Sequence, residues 1–125
     1  MAVANIAGCP QQQFKAENQK RYDHVYAHEL AHKSKAGALG GGIVIERNGD
    51  GLVTGGHVNI KMPGLNKSKP EETAKLAQQV IDSAMAPDDP SGQDYKVAAQ
   101  AKAILASAQA EMKNKTTGKT LDIQG

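Results

Sequence analysis

The stretch IVIERNGDGLVTGGHVNIK, residues 43–61, decides the fold class. Ile43-Val44-Ile45-Glu46 is a β-branched run, and such residues fit a pleated, half-buried surface. Asn48-Gly49-Asp50-Gly51 collects residues that tolerate positive φ, the signature of a tight hairpin turn. Leu52 to Ile60 then resumes the strand. Alternation puts His57 and Asn59 on one face and Val58 and Ile60 on the other. Gly55-Gly56 inside this strand predicts a bulge or a close backbone approach. A two-stranded hairpin is marginal alone, so a helix must cover it.

The flanking segments supply helices. Residues 14–35 contain no Pro or Gly and favour Lys, Glu, Gln and Ala, which predicts a helix with Val25, Tyr26, Leu30 and Ala31 as its apolar stripe. The run AGALGGG, residues 36–42, stops it. MPGLNKSKP, residues 62–70, reads as a loop. Pro70 suits the first turn of a second helix, and Glu71 and Glu72 suit its positive N-terminal dipole. That helix runs to about Met85 with Leu76, Ala77, Val80, Ile81 and Ala84 on one face. APDDPSGQD, residues 86–94, breaks it. Ser91 is the expected N-cap of a third helix from Gly92 to about Lys113, with Val97, Ala101, Ile104, Leu105 and Met112 inward. The fold class is α+β: helix, hairpin, then two packed helices. Residues 14–113 form the expected single domain, after a disordered segment (1–13) and before a flexible tail (114–125).

Composition excludes several classes of function. Net charge is +2, with both signs interspersed, so no basic footprint for nucleic acid is present. No apolar run reaches the length of a membrane span. MAVANIAGCPQQQ lacks the charged and long apolar regions of a signal peptide, which predicts a cytoplasmic location. Cys9 is the single cysteine, so an internal disulfide and a Cys-rich zinc site are both ruled out. One Phe and no Trp leave few large anchors for a core. Glu46 to His57 imitates part of an EF-hand loop, but Glu46 and His57 are wrong at its first and twelfth positions and strand-forming sequence flanks it. Asn48 to Gly51 is read as a turn.

The chemistry sits in the first helix. His28-Glu29-Leu30-Ala31-His32 spells HExxH. Residues four apart share a helix face about 6 Å apart along the axis, so two imidazoles can converge on one ion. Glu29 is rotated about 100° from His28 and can reach a metal-bound water without being a ligand. Zinc lowers the pKa of such a water to about 7, and a carboxylate beside it accepts the proton. His24 extends the stripe but lies about 12 Å along the axis from His32, too far to share the ion. It is a neighbour of the site: a group behind the ligands, a proton relay or a surface histidine. His57, at the end of a strand and past the expected bulge, can supply the third ligand.

Further pieces carry a resemblance. HVYAHELAH (24–32), a double glycine, LVTGGHVNI (52–60) and APDDPSGQDYKVAAQA (86–101) resemble, in order, the SprA-related family of small bacterial metalloproteases. The resemblance implies a zincin-like minimal domain acting on peptides. In the family a Glu usually follows the double glycine, where this chain has His57. Both are zinc ligands, so the resemblance favours His57 for the third position. Glu71, Glu72 and Asp94 are its rivals. Asp94 has two readings, as acceptor for a ligand histidine's N–H or as an acid favoured in a first helical turn. Tyr22, Tyr26 and Tyr95 are candidates for stabilising an oxyanion.

The expected function is a zinc-dependent metallopeptidase. His28, His32 and His57 hold zinc, Glu29 is the general base, and a peptide or protein is the substrate. The alternative is an inactive metal-binding or scaffold domain. The short chain also leaves room for a protein partner that completes the cleft.

Overall fold

The computed structural model describes residues 10–124, with side chains described for 11–115. Helix α1 spans Pro10–Ala36, followed by a short 3-10 turn, Gly37–Leu39. Strands β1 (Gly40–Arg47) and β2 (Val53–Ile60) form an antiparallel hairpin. Helices α2 (Pro70–Ala84) and α3 (Gly92–Gln124) complete the chain. The architecture is α+β, with the hairpin on α1 and α3 packed along α2. Among the described residues no helix is long and apolar enough to cross a membrane.

α1 begins at Pro10, four residues before Phe14. A proline is tolerated in a first helical turn, and the three glutamines after it are good helix formers. Residues 1–9 of the segment expected to be disordered lie outside the described residues. α3 continues as helix to Gln124 instead of ending near Lys113. No proline interrupts it, and a glycine such as Gly118 costs a helix only about 1 kcal/mol. Lys115 Nζ donates to the Ser68 carbonyl, tying this part of α3 to the loop before α2.

The buried stripe of α1 differs from the apolar one expected. Tyr26 and Leu30 are exposed, whereas Glu29, His32 and Ala36 are buried and Tyr22 and Val25 half-buried. These inward positions keep helical spacing, but two of the three buried ones, Glu29 and His32, carry ionisable side chains. On α2, Ala77, Val80, Ile81 and Ala84 face inward as expected, while Leu76 is exposed. Val80, Ile81 and Ala101 form the core centre, with Leu39, Ile60, Met62, Val97 and Leu105 around it. Ala77, Ala84, Ala98, Ala101 and Ala108 are all buried. These small side chains let helix axes approach closely. They also bury little apolar area, which keeps the core modest.

Asn18 fastens the hairpin to α1. Its Nδ2 donates to the Gly51 carbonyl at 3.1 Å and its Oδ1 accepts the Val53 N–H at 2.7 Å. The turn residue Gly51 has φ +84°, which favours glycine. A register shift between Glu46 and Arg47 leaves Thr54 as the extra residue of β2, one position before the expected bulge. The double glycine instead serves close approach. A Cβ on Gly56 would lie 2.6 Å from Val25 Cγ1 and 3.3 Å from Glu29 Cγ. The hairpin therefore rests on α1 directly over Glu29.

Candidate metal centre

His32 is buried, and its ring is pinned from α2. The Nδ1–H donates to the Ser83 carbonyl at 2.8 Å, while Ser83 Oγ donates back to the His32 carbonyl at 2.7 Å. His28 is pinned from the α2–α3 loop, its Nδ1 3.2 Å from Asp89 Oδ1. A carbonyl and a carboxylate can only accept, so both rings donate from Nδ1 and turn Nε2 toward the cleft.

Those two Nε2 atoms are 3.2 Å apart. Asp94 closes the triangle, with Oδ2 at 3.2 Å from His28 Nε2 and Oδ1 at 3.1 Å from His32 Nε2. Two ring nitrogens and two carboxylate oxygens thus meet at one point. A proton between one ring and the carboxylate relieves this crowding, and so does one cation held among the four atoms. The ligand atoms of His28, Glu29 and His32 lie within 4.8 Å of one another, so this group could hold a metal ion.

Asp94 joins its two expected readings. Ser91 Oγ accepts the Asp94 N–H at 3.1 Å, and Asp94 Oδ2 accepts the Ser91 N–H at 2.8 Å. This reciprocal capping box starts α3. It also locks the carboxylate that faces the two histidines.

Glu29 is 5% exposed. Burial pushes its carboxyl above the ordinary value; His28 and His32 oppose that rise, and the Asp94 charge adds to it. It lines the same cleft as the histidines, a cavity of about 630 Å³ between β2 and the start of α3.

His57 does not join the cluster. Because Gly56 faces α1, strand parity turns Val58 and Ile60 inward and His57 and Asn59 outward. His57 stands at the rim of the cleft, its side chain 47% exposed and its Nδ1 3.5 Å from Glu46 Oε1. Glu71 and Glu72 open α2, about 18 Å along the helix from Ser83, which holds His32. His24 lies at the mouth, its Nε2 3.5 Å from Asp89 Oδ2. Tyr26 stacks on Tyr22 with ring centroids 5.8 Å apart, and Tyr95 is exposed. None of the three tyrosines is among the residues lining this cleft.

Two partners of the histidines went unread in the sequence. Ser83 acts through its carbonyl, which no residue type announces. Asp89 lies 61 positions from His28, and PDDP offers two adjacent acids with nothing local to choose between them. The His28 hydrogen bond also holds the Asp89 carboxyl below its usual value.

Neither a curated protein nor a solved structure gives a significant match. The model of the SprA-related family matches residues 6–124, nearly the whole sequence. The chain therefore belongs to the SprA-related family.

Proposed function

We propose that this chain is a zinc-dependent hydrolase with a zincin-like site, a metallopeptidase in which His28, His32 and Asp94 hold the ion and Glu29 is the general base. One observation carries the reading. Two imidazoles whose Nδ1–H groups are committed to Ser83 and Asp89 turn both Nε2 atoms onto a single carboxylate at 3.1–3.2 Å. Ligands of a tetrahedral zinc with bonds of about 2.0–2.1 Å stand roughly 3.3–3.4 Å apart, close to these spacings. Two nitrogen donors favour zinc over calcium or magnesium, which take oxygen. Asp94 is preferred to His57 because it already touches both rings.

When bound, zinc supplies Lewis-acid polarisation of a carbonyl and makes water nucleophilic near neutral pH. The protein does the rest. Ser83 and Asp89 hold the imidazoles in the ligating tautomer. Glu29, strengthened as a base by burial, takes the proton of the attacking water and passes it to the leaving amine. A peptide or protein is the substrate, and a partner domain can extend the cleft. The single cysteine suits a reducing compartment such as the cytoplasm.

The test is Glu29→Gln. It should keep about one zinc per chain by elemental analysis and lose peptide cleavage. Loss of zinc in that variant, or full turnover, would end the general-base assignment. A wild-type chain that takes up no zinc on reconstitution would favour the scaffold alternative.

A further inference from the structure

The walls of the cleft restrict what can lie in it. Val97 follows Asp94 by three residues on α3, so it sits one turn away on the same helix face. Ala84 follows Ser83, whose carbonyl holds His32. Ile60 and Met62 come from the end of β2 and the loop after it. These four residues all line the cleft, and Ile60, Met62 and Val97 pack against the Val80–Ile81–Ala101 core. An apolar recess therefore opens about one helical turn from the histidine pair. That is the reach of a side chain on a residue next to a carbonyl held at the histidines.

Charge is distributed as unusually as shape. Among the described residues, no Lys or Arg lines the cleft. A substrate's terminal carboxylate would find no Lys or Arg side chain there to pair with. The cleft's carboxylates are also committed. Asp94 faces both histidines, Asp89 faces His28 and His24, and Glu29 lies buried beside the pair. A free terminal amine would find no unengaged acid. The cavity, at about 630 Å³, has room for a short stretch of chain, and bare main chain with neutral side chains is what its walls accept.

Resting on the peptidase reading, we infer that the site is endo-acting: it takes internal segments of peptide chain bearing an aliphatic side chain beside the cleaved bond. Neither chain end is recognised. A charged residue at the recess position is rejected, because burying it there leaves it without a partner.

The test uses the zinc-loaded full chain and a mixed peptide library, with products read by mass spectrometry. Fluorescence-quenched peptides follow, each with both ends free or both ends blocked. Cuts should fall at internal bonds with Leu, Ile, Val or Met on one flank. Blocking the ends should change kcat/KM less than about twofold, and Asp, Glu or Lys at that flank should lower it at least about tenfold. Met62→Ala, which widens the recess from a half-buried loop position, should move the Leu-to-Phe ratio of kcat/KM toward Phe by about threefold or more. A merely structural role for Met62 would leave that ratio unmoved. Release of terminal residues only, dependence on a free chain end, or equal cutting beside charged residues would each overturn the inference while leaving the peptidase reading in place. A zinc-loaded chain that cuts no peptide would overturn both.

Discussion

Asp94 Oδ1, in the first turn of α3, stands 3.1 Å from His32 Nε2 on α1, while Asp94 Oδ2 accepts the Ser91 N–H at 2.8 Å. One carboxylate thereby couples the start of a helix to the candidate metal centre. Sequence position alone could not separate these roles, because a first-turn acid is favoured by the helix dipole wherever it points.

Replacing that residue separates the two candidate third ligands. Asp94→Ala should weaken zinc binding by at least about a hundredfold, measured by competition with a chelating dye. The lost cap should also lower stability by about 1 kcal/mol. His57→Ala removes a rim side chain that faces Glu46, so it should bind zinc as tightly as the wild type. If the two variants behave in the opposite order, the third position belongs to His57.

Asp89 offers a cleaner measure of positioning. It is 63% exposed in its side chain and touches only the outer nitrogens of His28 and His24. Asp89→Ala should therefore leave the melting temperature nearly unchanged. Zinc affinity should fall by about 10–100-fold as His28 loses the partner that fixes its tautomer. Asp88→Ala, the neighbouring exposed acid, is the control. Equal losses in both variants would mean that general surface charge, and not orientation of His28, matters.

Parts of this fold are written in local pattern. The hairpin follows from β-branched runs around Asn48–Gly51, and the inward face of α2 from apolar residues at helical spacing. α1 resists the same method because its buried positions include Glu29 and His32. A search for apolar periodicity instead selects Tyr26 and Leu30, which face solvent. The burial of that polar stripe is rewarded only by partners from distant segments: Ser83, Asp89 and Asp94. His57 shows the converse. Its outward face was already implied by alternation with Val58 and Ile60, yet which face meets α1 depends on Gly56, whose role is tertiary. Spacing within one helix can be read directly; the convergence of three segments cannot.

Gly56 is where hairpin and helix meet, and it should tolerate no side chain. A Cβ there would stand 2.6 Å from Val25 Cγ1, 2.8 Å from the Val44 carbonyl oxygen and 3.3 Å from Glu29 Cγ. The Val44 oxygen is backbone and cannot swing away. Gly56→Ala should cost about 1–3 kcal/mol in denaturant unfolding, as overpacking does. Any residual activity should drop further than stability alone explains, because the displaced strand moves Glu29. Gly49→Ala, with open space around it, should have little effect on either. A Gly56→Ala protein with wild-type stability would show that the contact yields more easily than its distances imply.

Glu29 should be a liability to the metal-free fold. Burial raises its carboxyl above the ordinary carboxylate value, so the folded state favours the protonated form. Stability from this group is complete below the unfolded value, and it is lost as pH rises through the raised folded value. As pH rises through that value the metal-free wild type comes to carry a buried carboxylate, whereas Gln is neutral at every pH. Glu29→Gln should therefore melt higher than wild type at pH 7.5 in the absence of metal. The gap should shrink near pH 4, where the raised Glu29 carboxyl is held in its protonated form by burial. Zinc should also narrow it, since a cation beside Glu29 offsets the penalty of its charge. Paired thermal melts of the two proteins at both pH values, with and without zinc, check all three signs. A gap independent of pH would mean that Gln acts through packing, and that the charge on Glu29 is not what strains the fold.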